Sequence, residues 1–125
     1  MMKTTTQILL MLSVLFLSEA CQRDNRVKID YEATEAVSEY TLSFKDESGA
    51  LKTIVVEPAG KEDKWNYSMM AEEGDIVYIS GKYNDAGSSL RLRIMLDGKT
   101  YKEGYSTGDT IKYLVVSGVV PYGND

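Results

Sequence analysis

The 125-residue chain has no histidine, a single cysteine, two prolines and one tryptophan. Without histidine it lacks the commonest general base, the commonest zinc ligand and the usual partner of a nucleophilic serine. One cysteine cannot close an internal disulfide. Basic residues are few and scattered, Arg91-Leu92-Arg93 being their densest group, and the net charge is −5. Nucleic acid is held by clustered Lys and Arg on phosphates, so it is not an expected partner. No apolar run reaches the roughly 20 residues that a transmembrane helix needs. Hydrophobic residues at 43% and charged residues at 26% are the proportions of a folded domain, not of a disordered chain or a polytopic membrane protein.

The longest apolar run, "ILLMLSVLFL" at 8–17, follows Lys3 and a polar "TTTQ" and has the length of a signal-peptide h-region. Residues 1–20 are therefore expected to be a signal peptide, 21–26 a polar tether and 27–125 one domain. Lys3 and Glu19 cancel, so removing residues 1–20 leaves the net charge at −5. Ser18 and Ala20 suit an ordinary signal peptidase, whereas Ala20 directly before Cys21 suits the enzyme that processes lipoproteins. The stretch resembles a bacterial lipobox, which implies acylation of Cys21, and "CQRDN" resembles the signal that follows the acylated cysteine of surface lipoproteins in Bacteroidetes. On that reading Cys21 is the lipidation site and the membrane is a partner through its acyl chains, each buried CH₂ contributing about 0.8 kcal/mol. The expected location is the outer membrane, exposed at the cell surface; ordinary cleavage would instead give a soluble periplasmic or secreted protein.

Past residue 26 the apolar period becomes two, the period of a strand with one buried face. Val27, Ile29 and Tyr31 share one face, with Lys28, Asp30 and Glu32 on the other. Tyr40, Leu42 and Phe44 repeat the pattern, and "DESG" at 46–49 turns the chain into "LKTIVVE". Trp65, Tyr67 and Met69 alternate with Asn66, Ser68 and Met70, and "EEGD" at 72–75 leads into "IVYISGKY". "LRLRIML" sets Leu90, Leu92, Ile94 and Leu96 against Arg91, Arg93 and Met95, and the following Asp97-Gly98 is a strong hairpin signal. "KTYKEGYS", a "TGD" turn and "TIKYLVVSGVV" complete the series. "ATEAVSEY" has helix formers but is short and lies between two strand patterns, so it reads as a crossing or bulge. The expected fold is all-β: a single antiparallel, immunoglobulin-like β-sandwich of seven to eight strands.

Taken in order, "YEAT", "YTLSFKDESG", "GDIVYIS", "LDGKTYKEGYSTGD" and "LVVSG" resemble the MmpS-like proteins, small β-sandwich domains that also occur as short lipoproteins in Bacteroidetes. The resemblance covers most of residues 27–120, and its most specific part is the succession of Gly74-Asp75, Asp97-Gly98-Lys99 and Ser117-Gly118. It implies a sandwich fold and, by analogy with mycobacterial members that assist lipid and siderophore exporters, an accessory role at an envelope exporter. It implies no catalytic residue.

Paired carboxylates occur at Asp46 and Glu47, at Glu62 and Asp63, and at Glu72, Glu73 and Asp75. All sit among turn residues, and none has the spacing of a calcium loop. No metal, no cofactor and no enzymatic activity are expected. Nine tyrosines and one tryptophan could supply a sugar-stacking platform. Trp65, Tyr67 and Tyr78 read as core residues, whereas Tyr83, Tyr101 and Tyr105 lie near turns and are the candidate exposed ligand-binding residues. The expected function is a lipid-anchored, non-catalytic interaction module at the outer membrane, its partner an envelope protein or a glycan. A cell-surface carbohydrate-binding module and an exporter subunit are the alternatives.

Overall fold

The computed structural model describes residues 25–108 and 112–122, which form eight strands without a helix among them. In chain order these are β1 (Arg26–Thr34), β2 (Tyr40–Lys45), β3 (Leu51–Val56), β4 (Trp65–Glu72), β5 (Ile76–Tyr83), β6 (Ser89–Leu96), β7 (Lys99–Thr107) and β8 (Tyr113–Val119). They make two antiparallel four-stranded sheets, the first ordered β4-β1-β6-β7 and the second β3-β2-β5-β8. The β-sandwich expected from the period-two pattern is the fold. Residues 35–39 carry the chain from β1 in the first sheet to β2 in the second. That is the crossing expected of "ATEAVSEY", and Glu35 turns it with a positive φ of 68°. The expected signal peptide, the tether residues 21–24 with Cys21, and residues 109–111 and 123–125 lie outside the described residues.

The core is built from the alternation. Val27, Ile29, Tyr31 and Ala33 of β1 and Leu90, Leu92 and Ile94 of β6 point inward from the first sheet. Tyr40, Leu42 and Phe44 of β2 and Val77 and Ile79 of β5 meet them from the second. Phe44 packs its ring against Trp65 and Tyr67 at centroid distances of 5.1 and 4.8 Å, tilted so that edges meet faces. Tyr31 also crosses the core to repair the opposite sheet. Its hydroxyl donates to the Lys45 carbonyl (2.8 Å) and accepts from the Tyr78 N–H (3.2 Å), taking the place of a rung where β2 and β5 diverge.

The outer face of β1 differs from its sequence reading. Asp30 and Glu32 alternate out of the core as expected, yet both are buried, because β1 is a central strand and neighbours on both sides cover its outer side chains. Ser68 hydrogen-bonds Asp30, and Lys28 lies 3.9 Å from it. Lys64 and Arg93 each approach Glu32 to 3.8 Å. Arg93 reaches on to Glu103 at 3.2 Å, and Arg91 pairs with Glu35 and Glu103. The first sheet thus presents a face knitted by opposite charges.

Candidate functional site

The three tyrosines singled out near turns are not brought together. Tyr83, expected to be exposed, is a core residue with 1% of its surface accessible, and its hydroxyl meets the Ser106 hydroxyl at 3.0 Å and the Gly108 carbonyl at 3.2 Å. The correction has a physical reason. Residues 76–83 carry apolar side chains in both phases, Ile76 and Tyr78 sharing theirs with Ser80 and Lys82, and Gly81 marks the inward phase, since a side chain there would run into Leu90 of the facing sheet. Val77, Ile79, Gly81 and Tyr83 therefore face inward. Tyr78, read as core, lies with Ile76, Ser80 and Lys82 on the outer face and is half-buried.

Tyr101 and Tyr105 are two periods apart on β7, which in a regular strand would place both rings on one face. A bulge intervenes: Ile94 pairs with Lys102 but Met95 with Thr100, so Tyr101 is the extra residue. It turns toward β8, packs over Gly118 and donates its hydroxyl to the Val119 carbonyl at 2.7 Å. Tyr105 stays on the charged outer face, 44% exposed, with the Arg91 guanidinium 4.8 Å above its ring.

In each of the three turn groups at least one carboxylate binds backbone N–H groups. Asp46 Oδ1 accepts from the Ser48 hydroxyl (2.7 Å) and from the Ser48 and Ala50 N–H groups (both 3.0 Å). The Ser48 hydroxyl bond, joined by these amides and by Lys52, holds the Asp46 carboxyl below the usual carboxylate range against the opposing effect of burial. Glu47 and Asp75 accept from the Met70 and Glu72 N–H groups, both at 2.9 Å, along the outer edge of β4. Asp63 accepts from the Ala59 N–H at 2.9 Å.

The most distinctive surface is one that sequence reasoning did not single out, the outer face of the second sheet. Register places Leu51, Thr53 and Val55 of β3 beside Lys45, Ser43 and Thr41 of β2, and Tyr78, Ser80 and Lys82 of β5 beside Ser117, Val115 and Tyr113 of β8. Ile76 and Val119 extend it. Leu51, Val55, Ile76, Tyr113, Val115 and Val119 are all exposed. The face is apolar and hydroxyl-bearing, carries no carboxylate, and has Lys45 and Lys82 as its charges, although the whole chain is acidic. Tyr78 and Tyr113 lean together across it. Hydrogen bonds from Ser80 and then Tyr113 hold the Tyr78 hydroxyl below its ordinary value, while bonding to Tyr78 raises that of Tyr113. A shallow, almost wholly apolar groove of about 300 Å³ lies at the Leu51 end between Lys45, Gly49, Leu51, Ile76 and Tyr78. Its signal was in the sequence as Ile76 and Tyr78 of β5 and Tyr113, Val115 and Val119 of β8, but without the sheet order nothing showed that these strands adjoin.

No protein-family profile and no curated protein sequence matches the chain.

Proposed function

We propose that this protein is a lipid-anchored, non-catalytic interaction module of the cell envelope, tethered to the outer membrane through Cys21 and binding an envelope protein through the outer face of its second sheet. The observation that supports this most is the contrast between the two faces of the sandwich. One is closed by its own ion pairs, whereas the other exposes apolar side chains from three of its four strands, β3, β5 and β8, with Thr41, Ser43 and Lys45 of β2 between them. A contiguous apolar area on a small domain marks a place where another molecule docks. The anchor rests on Cys21 following the h-region, and the MmpS-like assignment on the ordered motifs of residues 27–120. A glycan is the second reading, supported by Tyr78 and the exposed Tyr113 on this face, with Ser117 opposite Tyr78.

The test is capture of partners from the native envelope by the wild-type chain and by Val115→Glu, which puts a carboxylate among the exposed apolar side chains of β8 without touching the core. Loss of a co-purifying protein with Val115→Glu supports the protein reading, and glycan retention lost with Tyr113→Ala supports the second. Identical capture by wild type and both variants would reject this face. Cys21→Ala separately tests the anchor: the protein should move from the membrane to the soluble fraction, and wild-type residue 21 should carry acyl chains by mass spectrometry.

A further inference from the structure

A sandwich of two open sheets has four edges, and three of them are guarded. Along β4 the outward N–H groups of Met70 and Glu72 are capped by the Glu47 and Asp75 carboxylates. The edges of β7 and β8 close on each other: the Tyr101 hydroxyl caps the Val119 carbonyl. A side chain at Gly104 would lie 3.0 Å from Leu114, so bare backbone there lets the sheets approach. The fourth edge is β3. The Asp46 N–H bonds the Ala50 carbonyl across the hairpin, so by antiparallel alternation Lys52, Ile54 and Val56 turn their backbone groups to β2, while Leu51, Thr53 and Val55 turn theirs outward. Among the described residues no backbone group from elsewhere reaches them. β3 contains no proline, and Leu51 and Val55 beside this edge are 63% and 60% exposed. Such an edge is a template for a further strand.

We propose that the strand that fills it is β3 of a second copy of this chain, paired antiparallel about a two-fold axis at Thr53. Side-chain chemistry selects this occupant. With Thr53 facing its twin, Leu51 lies opposite Val55 of the second copy, so apolar meets apolar on the outer face. Lys52 lies opposite Ile54 and clear of its own twin. The same register carries Glu57 alongside Gly49 of the second copy, and the Lys45 side chain runs there, its Cε 3.8 Å from where a Gly49 Cβ would stand. Neither Glu57 nor Lys45 has an ion-pair partner among the described residues. The two-fold supplies one to each, twice over. The second sheets of the two copies then form one continuous sheet, and the exposed apolar face doubles in width. This pairing is independent of the anchor and of what the face binds.

The experiment is disulfide trapping of the full chain in its native envelope. A hydrogen-bonded antiparallel pair holds its Cα atoms about 5.5 Å apart, within the roughly 4.4–6.8 Å that a disulfide accepts. Under mild oxidant Thr53→Cys should yield a reducible species of twice the chain's mass. The parent chain controls for Cys21, and Thr107→Cys on β7 should yield none. In the Thr53→Cys background, Lys45→Glu or Glu57→Lys alone should lower the trapped fraction by about 5-fold, on the scale of exposed ion pairs turned repulsive, and the two together should restore it. The proposal is overturned if Thr53→Cys traps no dimer, if it traps a species of another mass containing a different protein, or if the double charge exchange fails to restore what the single changes remove.

Discussion

Tyr31 shows how much one side chain can do in a small sandwich. Its ring stacks beside Tyr67 at 6.2 Å and its hydroxyl satisfies a carbonyl and an N–H of the opposite sheet. Tyr31→Phe should therefore cost about 1–3 kcal/mol in a denaturant titration, because both backbone groups lose their partner in a buried place. Burial pushes the Tyr31 and Tyr40 hydroxyls up to about 12. For groups raised in this way the neutral form is favoured in the folded state. Their stabilisation is complete below the unfolded value of about 10 and is lost as pH rises from 10 to 12. Tyr31→Phe should lose less stability than wild type over that interval, and a pH series of melting temperatures checks it. Asp46 works at the other end with the opposite sign. Its carboxyl is held low, so its contribution is present above about 3.9 and lost as pH falls further. Asp46→Asn should be less stable than wild type at neutral pH, and the two should converge in acid; a gap that persists at low pH would show that the carboxylate charge is not what stabilises the turn.

Single elements carry two further expectations. In β6, Leu92→Ala and Ile94→Ala should each cost about 2–5 kcal/mol, as large-to-small changes at fully buried positions do, whereas Arg91→Ala, on the solvent side of the same strand, should cost under about 1 kcal/mol despite its pairs with Glu35 and Glu103. Equal losses on both faces would contradict the register. The bulge of β7 is the second case. A Cβ at Gly118 would stand 2.7 Å from the Tyr101 ring, so Gly118→Ala should displace that ring and free the Val119 carbonyl, destabilising by about 1–3 kcal/mol, while Gly60→Ala, with open space around it, should stay within about 0.5 kcal/mol. Chemical-shift changes confined to Tyr101 and β8 in Gly118→Ala would confirm which contact is responsible.

For the molecule as a whole, the sequence by itself determined the class of fold and most of the core. "LRLRIML" and "VKIDYE" alternate in one phase only, so the inward set Leu90, Leu92, Ile94, Val27, Ile29 and Tyr31 could be read without any neighbour. The turn chemistry of 46–49 and 97–98 likewise marked two hairpins that the register bears out. Where a strand carries apolar residues in both phases, as Ile76 and Tyr78 stand beside Val77 and Ile79, local pattern is a weaker guide. In β5 the facing Leu90 decides, sending Tyr83 into the core and Tyr78 to the surface. Only the tertiary structure could place the extra residue that separates Tyr101 from Tyr105, because a bulge is a mismatch between two strands and neither strand contains it alone. The same holds for the apolar face of the second sheet and for the unguarded edge of β3. Both arise from which strands lie side by side and which lies last, and strand order is set by long-range packing that leaves no mark on the period of any one segment.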